Sequence, residues 1–224
     1  MKYEKCELGK LKYAMRYPDG FDGQKKYPLI ICLHGAGYRG DDINRVLVNP
    51  YFKETEKFED FPFVMAAPQC SEDTWFDLWD YLKKLVVRLT SAPFIDSKRV
   101  YLMGASMGGY GTWQLAMSMP EYFAAIAPIC GGGMYWNAGR LINVPGWAFH
   151  GALDATVLPE ESRKMVDAVN QKGGSAMLTV YPENSHNAWS DTYSNPELYT
   201  WFLQHENSNA QNLVNEYSDA EQFG

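Results

Sequence analysis

The chain has 224 residues, of which 46% are hydrophobic and 21% are charged. This length and balance are typical of one soluble globular domain with a sizeable core. The formal net charge is −7 with a pI near 5.1, and no basic stripe is present, so nucleic acid and anionic membranes are excluded as expected partners.

The first twenty residues are polar and alternating, and they lack the apolar core of a signal peptide. No run of about eighteen apolar residues follows, so we expect no membrane span. The cysteines Cys6, Cys32, Cys70 and Cys130 show no CxxC spacing. We therefore expect a cytoplasmic protein with free thiols, although a secreted chain without its signal would look similar.

Residues 3–17 contain two alternating stretches that predict an antiparallel hairpin turning at Gly9 and Lys10. Six apolar runs further along the chain are typical of buried parallel strands. They are residues 27–33, 61–67, 100–103, 124–129, 147–149 and 176–181.

Helical patterns lie between these runs, at residues 75–89, 107–119, 159–171 and 196–205. The first has apolar residues at a spacing of about 3.6. Pro159 suits a first helical turn and Asn195 suits an N-cap. The alternation predicts an α/β fold with a mostly parallel central sheet, helices on both faces and an N-terminal antiparallel hairpin. We assign residues 1–205 to a single domain and residues 206–224 to a polar C-terminal tail.

Gly104-Ala105-Ser106-Met107-Gly108 follows an apolar strand and opens a helix. A serine on a sharp strand-to-helix turn needs small neighbours two residues away on each side, because larger side chains would clash with the strand and the helix. The turn exposes the hydroxyl at a helix N-terminus, where negative charge is favoured. The alternative is a glycine-rich loop with an incidental serine. The position between strand and helix favours Ser106 as a nucleophile.

A serine hydroxyl needs a general base, and the chain has four histidines. His34 and His150 each precede a glycine at a strand end, where we expect them to satisfy backbone groups and shape turns. His205 ends the last helix and is predicted to lie on the surface. His186 lies in the loop after the last strand and is therefore the predicted base.

Asp154 is the predicted acid that orients this base, since it lies in a loop at another strand end. The order serine, aspartate, histidine matches the arrangement of α/β-hydrolases. Asp191 is close to His186 in sequence and remains a competitor. Asp167 falls too far along its helix to reach the edge of the sheet.

An oxyanion would need two backbone donors. One is predicted to be the N–H of Met107, the residue after the nucleophile. The other is predicted to be the N–H of Ala36, in the His34-Gly35-Ala36-Gly37 turn after an early strand, with Gly37 as the alternative.

The segments LHGAGYRGDD, GASMGGYGTWQLA, WAFHGALDATVLPEESRKMVDAV and YPENSHNAW resemble α/β-hydrolase-fold esterases. The resemblance runs from about residue 27 to residue 205. It is strongest to the group with poly(3-hydroxybutyrate) depolymerase-like and feruloyl or acetylxylan esterase-like members, near the phospholipase/carboxylesterase family. It implies the triad Ser106, Asp154 and His186.

The resemblance also implies a serine carboxylesterase acting on a small-molecule ester through an acyl-enzyme. We expect no cofactor and no metal. Tyr38, Trp136 and Trp189 are candidate substrate-binding residues, each equally consistent with packing. Only about fifteen residues separate the strands ending near residue 129 and beginning near residue 147, so we expect an open site for short or aromatic acyl esters, feruloyl or acetyl esters of carbohydrate among them.

Three alternatives stay open. A serine peptidase of the prolyl oligopeptidase type has the same fold and triad order. A metal hydrolase could use His34, His150, Asp154 and His186. A non-catalytic binding module could also use a hydrolase scaffold. The sequence does not reveal the oligomeric state.

Overall fold

The computed structural model describes residues 2–208 and Ala210. Most of the predicted C-terminal tail, residues 209 and 211–224, lies outside the described residues. Within the described part, no helix has the length and apolar character needed to span a bilayer.

One eight-stranded sheet organises the molecule, with the strand order β1-β2-β4-β3-β5-β6-β7-β8. Strands β1 to β8 are Lys2–Leu8, Leu11–Tyr17, Tyr27–Leu33, Val64–Pro68, Ile95–Ala105, Ala125–Ile129, Gly146–Gly151 and Ala176–Tyr181. β1 and β2 form the N-terminal hairpin, and β2 pairs antiparallel with β4. Every later neighbouring pair is parallel, so the carboxyl ends of β3 and β5 to β8 meet at one edge.

Helices α1 to α7 are Asn44–Leu47, Pro50–Thr55, Trp79–Thr90, Met107–Ser118, Pro159–Gln171, Trp189–Tyr193 and Pro196–Leu203. Short 3₁₀ turns occupy Ala36–Tyr38, Trp75–Leu78, Pro120–Tyr122 and Tyr135–Leu141. Asn49 and Asn195 cap α2 and α7, each accepting a backbone N–H through its side chain.

The sheet is covered on both faces. Successive residues of a strand point to opposite faces, and in β3 Leu29 and Ile31 pack in one buried cluster while Ile30 and Cys32 pack in another. The first cluster includes residues of α3, α4 and α5, and the second includes residues of α2, α6 and α7. The predicted mostly parallel sheet with helices on both faces and an N-terminal hairpin is thus confirmed.

Some predicted boundaries are wrong. β5 extends from Ile95 to Ala105, because its polar first half pairs with β3 as far as Tyr27, across a shift in register. The helix predicted at residues 75–89 begins as a 3₁₀ turn, where Asp77 accepts hydrogen bonds from the backbone and hydroxyl of Thr74. Both boundaries were predicted from apolar residues alone. Such a pattern does not reveal the polar part of a strand, and it does not distinguish a 3₁₀ turn from the first turn of an α-helix.

Residues 206 and 207 contact the sheet. The Asn207 N–H donates to the Lys98 carbonyl at 2.8 Å, and Glu206 pairs with Arg99. The first residues of the predicted tail therefore lie against β5.

Candidate active site

Ser106 occupies a sharp turn between β5 and α4. Its backbone has φ 56° and ψ −117°, a left-handed conformation that is uncommon for a residue with a side chain. The turn is held because the Ser106 N–H donates to the Ile129 carbonyl at 2.8 Å. A strained backbone retained under such constraint is typical of a functional site.

The glycines on either side of Ser106 let α4 approach β3 at backbone distance. A Cβ atom on Gly104 would lie 2.5 Å from the Gly108 carbonyl oxygen and 2.7 Å from that of Leu33. A Cβ atom on Gly108 would lie 2.6 Å from the carbonyl carbon of Leu33. These neighbours are backbone atoms and cannot swing aside, so both positions require glycine.

His186 bridges Ser106 and Asp154. Its Nε2 lies 2.8 Å from the Ser106 hydroxyl oxygen, and its Nδ1 lies 2.7 Å from Asp154 Oδ2. The Asp154 carboxylate accepts, so Nδ1 carries the proton and the lone pair of Nε2 faces the serine. Asp154 is buried, whereas the His186 side chain is 22% exposed at the edge of the sheet. The structure brings the three residues together in the geometry of nucleophile, base and orienting acid.

The competing carboxylates lie elsewhere. Asp191 accepts a hydrogen bond from the Asn184 side chain, and Asp167 lies within α5. Neither contacts His186 among the hydrogen bonds of the described residues.

Asp154 is held as a carboxylate. Burial raises its pKa, but hydrogen bonds from His186 and from the backbone N–H groups of Val157 and Thr156 outweigh burial, so the pKa is lowered from its ordinary value. Both backbone bonds reach Asp154 Oδ1 at 2.9 Å. The carboxylate is therefore charged and fixed in orientation at neutral pH.

Two backbone N–H groups near Ser106 begin helical segments and have no acceptor within those segments. Met107 is the first residue of α4, and Ala36 is the first residue of the 3₁₀ turn after β3. The first N–H groups of a helical segment have no acceptor within it. Ala36, Gly37 and Ser106 line one cavity, so this turn lies beside Ser106.

His34 holds the turn that contains Ala36 through hydrogen bonds of its ring. Its Nδ1 donates to the Gly35 carbonyl at 2.8 Å, and its Nε2 accepts from the Cys70 N–H at 3.0 Å. Burial lowers the pKa of His34 to about 4, so the ring is neutral under ordinary conditions. His34 thus satisfies backbone groups, as its position before a glycine predicts.

The cavity beside Ser106 has a volume of about 320 Å³. Its lining residues are His34, Gly35, Ala36, Gly37, Tyr38, Asn49, Pro50, Ala105, Ser106, Thr156, His186, Trp189 and Tyr193. The predicted residues Tyr38 and Trp189 are among them, and the Trp189 ring stands perpendicular to that of His186 at 5.3 Å.

Trp136 does not line this cavity. It is 68% exposed in the 3₁₀ turn after β6 and packs edge-on against Tyr135. Sequence analysis missed Asn49, Tyr193 and Thr156. Asn49-Pro50 carries a helix-start signal, but nothing local to these residues indicates that α2 and α6 pack together beside the sheet edge.

Of the four residues considered for a metal centre, His150 and His186 both contact Asp154 Oδ2, whereas His34 is in no group of possible ligands among the described residues. His34 bonds to the backbone, and His186 is committed to Ser106 and Asp154. Cys130, His150 and Asp154 lie close together, but the ring nitrogens of His150 and the oxygens of Asp154 already have hydrogen-bond partners in the protein. We assign no metal ligands.

Two known proteins similar to this chain are named as esterases. The bifunctional acetylxylan esterase/xylanase XynS20E of Neocallimastix patriciarum is 27% identical over 188 residues, 78% of this chain and 26% of that protein. Feruloyl esterase D of Neurospora crassa is 24% identical over 173 residues, 73% of this chain and 60% of that protein. The chain therefore spans less than two thirds of either relative.

A solved structure of a thermostable esterase superposes with a TM-score of 0.76 at 30% identity, covering 92% of this chain and 63% of that one. Residues 50–217 match the dienelactone hydrolase family, which is most of the chain. The chain has the α/β-hydrolase fold and belongs to the dienelactone hydrolase family.

Proposed function

We propose that this chain is a serine carboxylesterase with Ser106 as nucleophile, His186 as general base and Asp154 as orienting acid. The observation that carries the proposal is the position of His186 between Ser106 and Asp154, at 2.8 Å and 2.7 Å. Membership of a hydrolase family and the esterase names of its relatives support it.

The reaction proceeds by acyl transfer in two steps. The Ser106 oxygen attacks the ester carbonyl as its proton moves to His186 Nε2, and Asp154 stabilises the resulting imidazolium. The imidazolium then gives the proton to the leaving alcohol, which departs as the acyl-enzyme forms. Water repeats the sequence in the second half, releasing the carboxylic acid and restoring the serine.

The tetrahedral oxyanion is stabilised by the Met107 and Ala36 N–H groups. Both belong to rigid first turns, so they need no reorganisation as charge develops. Such a donor contributes about 3–4 kcal/mol to transition-state stabilisation.

The cavity favours a compact acyl group with an aromatic ring. Tyr38, Trp189 and Tyr193 provide ring surfaces around about 320 Å³ of space. Asn49 adds one polar group. Its Oδ1 accepts the Tyr51 N–H at 3.3 Å, and among the described residues no hydrogen bond involves Nδ2, so we propose Nδ2 as the donor that Asn49 offers to a substrate. We therefore propose short or aromatic acyl esters as substrates, including feruloyl and acetyl esters of carbohydrate.

Hydrolysis of a soluble ester panel tests this function. The panel contains p-nitrophenyl acetate, butyrate and octanoate, methyl ferulate, acetylated xylose and a dipeptide p-nitroanilide. The variants are Ser106→Ala and a matched control, Ser118→Ala, whose hydroxyl bonds only within α4 to the Gln114 carbonyl. We expect the wild type and the control to hydrolyse esters and Ser106→Ala to lose at least about a thousandfold.

Two results would overturn the proposal. Equal ester hydrolysis by wild type and Ser106→Ala would remove Ser106 as the nucleophile. Turnover of the p-nitroanilide with no ester hydrolysis would favour the peptidase, and no turnover at all would favour a binding module.

A further inference from the structure

Asp154 has a second histidine partner that the triad does not use. His150 lies near the carboxyl end of β7 with its side chain fully buried. Its Nε2 is 3.2 Å from Asp154 Oδ2, the same oxygen that accepts from His186. Two imidazoles therefore contact one carboxylate oxygen, that of His186 partly exposed and that of His150 fully buried.

The neighbours of His150 assign a proton to Nε2. Besides Asp154 Oδ2, Nε2 lies 2.8 Å from the Val157 carbonyl oxygen. A carbonyl and a carboxylate only accept hydrogen bonds, so Nε2 must be the donor. His150 Nε2 therefore donates to the Val157 carbonyl, and the same N–H lies beside Asp154 Oδ2 as a second, longer contact at 3.2 Å.

Ser162 holds the ring in this orientation. His150 Nδ1 lies 2.7 Å from the Ser162 hydroxyl oxygen, which lies 3.0 Å from the Gly131 carbonyl oxygen. A hydroxyl has one proton, so it donates either to Gly131 or to Nδ1. In the first case Nδ1 donates to the Ser162 hydroxyl, and in the second it accepts from it.

We propose that His150, held by Ser162, is a positioning residue that acts on the general base through Asp154. This inference rests on the proposed esterase function. With His150 in place, Asp154 has two backbone donors on Oδ1, and on Oδ2 it has the His186 donor and a contact with His150 Nε2 at 3.2 Å. The second imidazole holds the carboxylate in position and partly compensates its negative charge. A less negative Asp154 stabilises the protonated form of His186 less strongly.

This contact has a predictable effect on the pH dependence of activity. Without the His150 N–H, the Asp154 charge is less compensated and stabilises the protonated form of His186 more strongly. The base then becomes free only at higher pH. We expect the acidic limb of the kcat/KM profile to move up by about 0.5–1 pH unit.

Other titratable groups face the same region. Burial raises the pKa of the Cys130 thiol to about 12, so it is neutral across this range. Burial, with Glu161 and Asp154, also raises the pKa of Tyr110. Glu161, next to Ser162 on α5, pairs with Lys164 at 3.2 Å. Glu161→Gln therefore serves as a control for a contribution from that carboxylate.

The variants differ in whether a hydrogen-bond donor remains at the position of His150 Nε2. His150→Phe keeps a planar ring and removes both nitrogens. His150→Gln keeps an amide N–H about as far from the backbone as Nε2 and should rescue most of the effect. Ser162→Ala removes only the group that holds the ring. His205→Gln is the matched histidine control, since His205 bonds to the Trp201 carbonyl, outside the site.

Each variant is measured by its pH profile of kcat and kcat/KM on p-nitrophenyl acetate and by a pH titration of ¹⁵N-histidine NMR signals. For His150→Phe we expect kcat at neutral pH to fall by up to about three- to tenfold, with KM within about threefold. The acidic limb and the His186 titration should both move upward. Ser162→Ala should move them in the same direction by less, and His150→Gln and His205→Gln should stay near the wild type.

The inference is overturned if Ser162→Ala and every folded His150 variant show the same His186 titration and the same acidic limb as the wild type. It is also overturned if His150→Gln behaves like His150→Phe, because a donor at that position would then be irrelevant. If His150→Phe does not fold, Ser162→Ala against wild type decides. The NMR titration needs no turnover, so it judges this inference even if the ester panel fails.

Discussion

Substitution Gly108→Ala should separate α4 from β3 at the point where Ser106 is presented. The added Cβ atom would lie 2.6 Å from the Leu33 carbonyl carbon and 2.9 Å from the His34 carbonyl oxygen, and closer still to the Leu33 oxygen. Carbon atoms in contact are normally about 3.5–4.0 Å apart. The helix and the strand must therefore move apart by about 1 Å or more.

The movement forced by Gly108→Ala should lower both the free energy of unfolding and the turnover. Overpacking of a core costs about 1–3 kcal/mol, and more where backbone must move, so we expect unfolding to be easier by about 3 kcal/mol or more. For a domain of this size that lowers Tm by roughly 6–12 °C. The displaced carbonyls belong to the turn that carries Ala36, and a misplacement of about 1 Å costs on the order of a hundredfold in turnover.

The assay is thermal unfolding together with kcat on p-nitrophenyl acetate below the lower Tm. Gly139→Ala is the control, because the atoms nearest to its added Cβ are 3.9 Å and 4.0 Å away, on the flexible Lys172 side chain. It should leave Tm and kcat nearly unchanged. A Gly108→Ala protein with the Tm and kcat of the wild type would refute the close approach of α4 to β3 and the explanation of the glycine.

Three further predictions concern separate parts of the site. Asn49→Ser and Asn49→Ala both remove the amide donor, so both should lower kcat/KM for methyl ferulate relative to methyl cinnamate by about fivefold. Only Asn49→Ala should also lose the α2 cap, which should lower the free energy of unfolding in urea by about 1 kcal/mol. An unchanged ratio of kcat/KM for the two substrates in both variants would contradict a role for Nδ2. The pKa of His34 is about 4 in the folded protein against an ordinary 6.5, so as pH falls the unfolded chain takes up this proton before the folded protein does. The contribution of His34 to stability, about 3 kcal/mol, is therefore complete above about pH 6.5 and is lost as pH falls toward 4. Urea unfolding at pH 7.5 and pH 4.5 should therefore differ less in His34→Gln than in the wild type, and equal differences would contradict this assignment. A fluorophosphonate should add one adduct to the wild type and none to Ser106→Ala by intact-mass measurement, whereas labelling of both would point to another nucleophile.

The strand-to-helix turn at Ser106 and the residues that meet it could be predicted because each depends on local constraints. Gly104 and Gly108 report a backbone approach that only glycine permits, and the apolar run before them reports a buried strand. Parallel strands then bring the loops of Asp154 and His186 to the same edge without further information.

The cavity could not be predicted in the same way. Asn49 and Tyr193 are far apart in sequence and meet only because α2 packs against α6 beside the sheet edge. Trp136 follows the glycines after β6, as a pocket residue would, yet the 3₁₀ turn that carries it leaves it in solvent. Contacts of this kind depend on how helices cross, which residue type and spacing do not specify.

His34 and His150 show where residue type and spacing stop being informative. Both are buried and precede a glycine near the carboxyl end of a parallel strand, so sequence gives them the same interpretation. The His34 ring bonds only to backbone groups, of Gly35 and Cys70, whereas the His150 ring contacts the side chains of Ser162 and Asp154. Backbone partners carry no net charge, so changing His34 should alter stability as a function of pH and leave the acidic limb of the activity profile in place. A charged partner shared with the general base gives the opposite expectation for His150, and the two substitutions measured side by side separate a histidine that builds a turn from one that acts on the base.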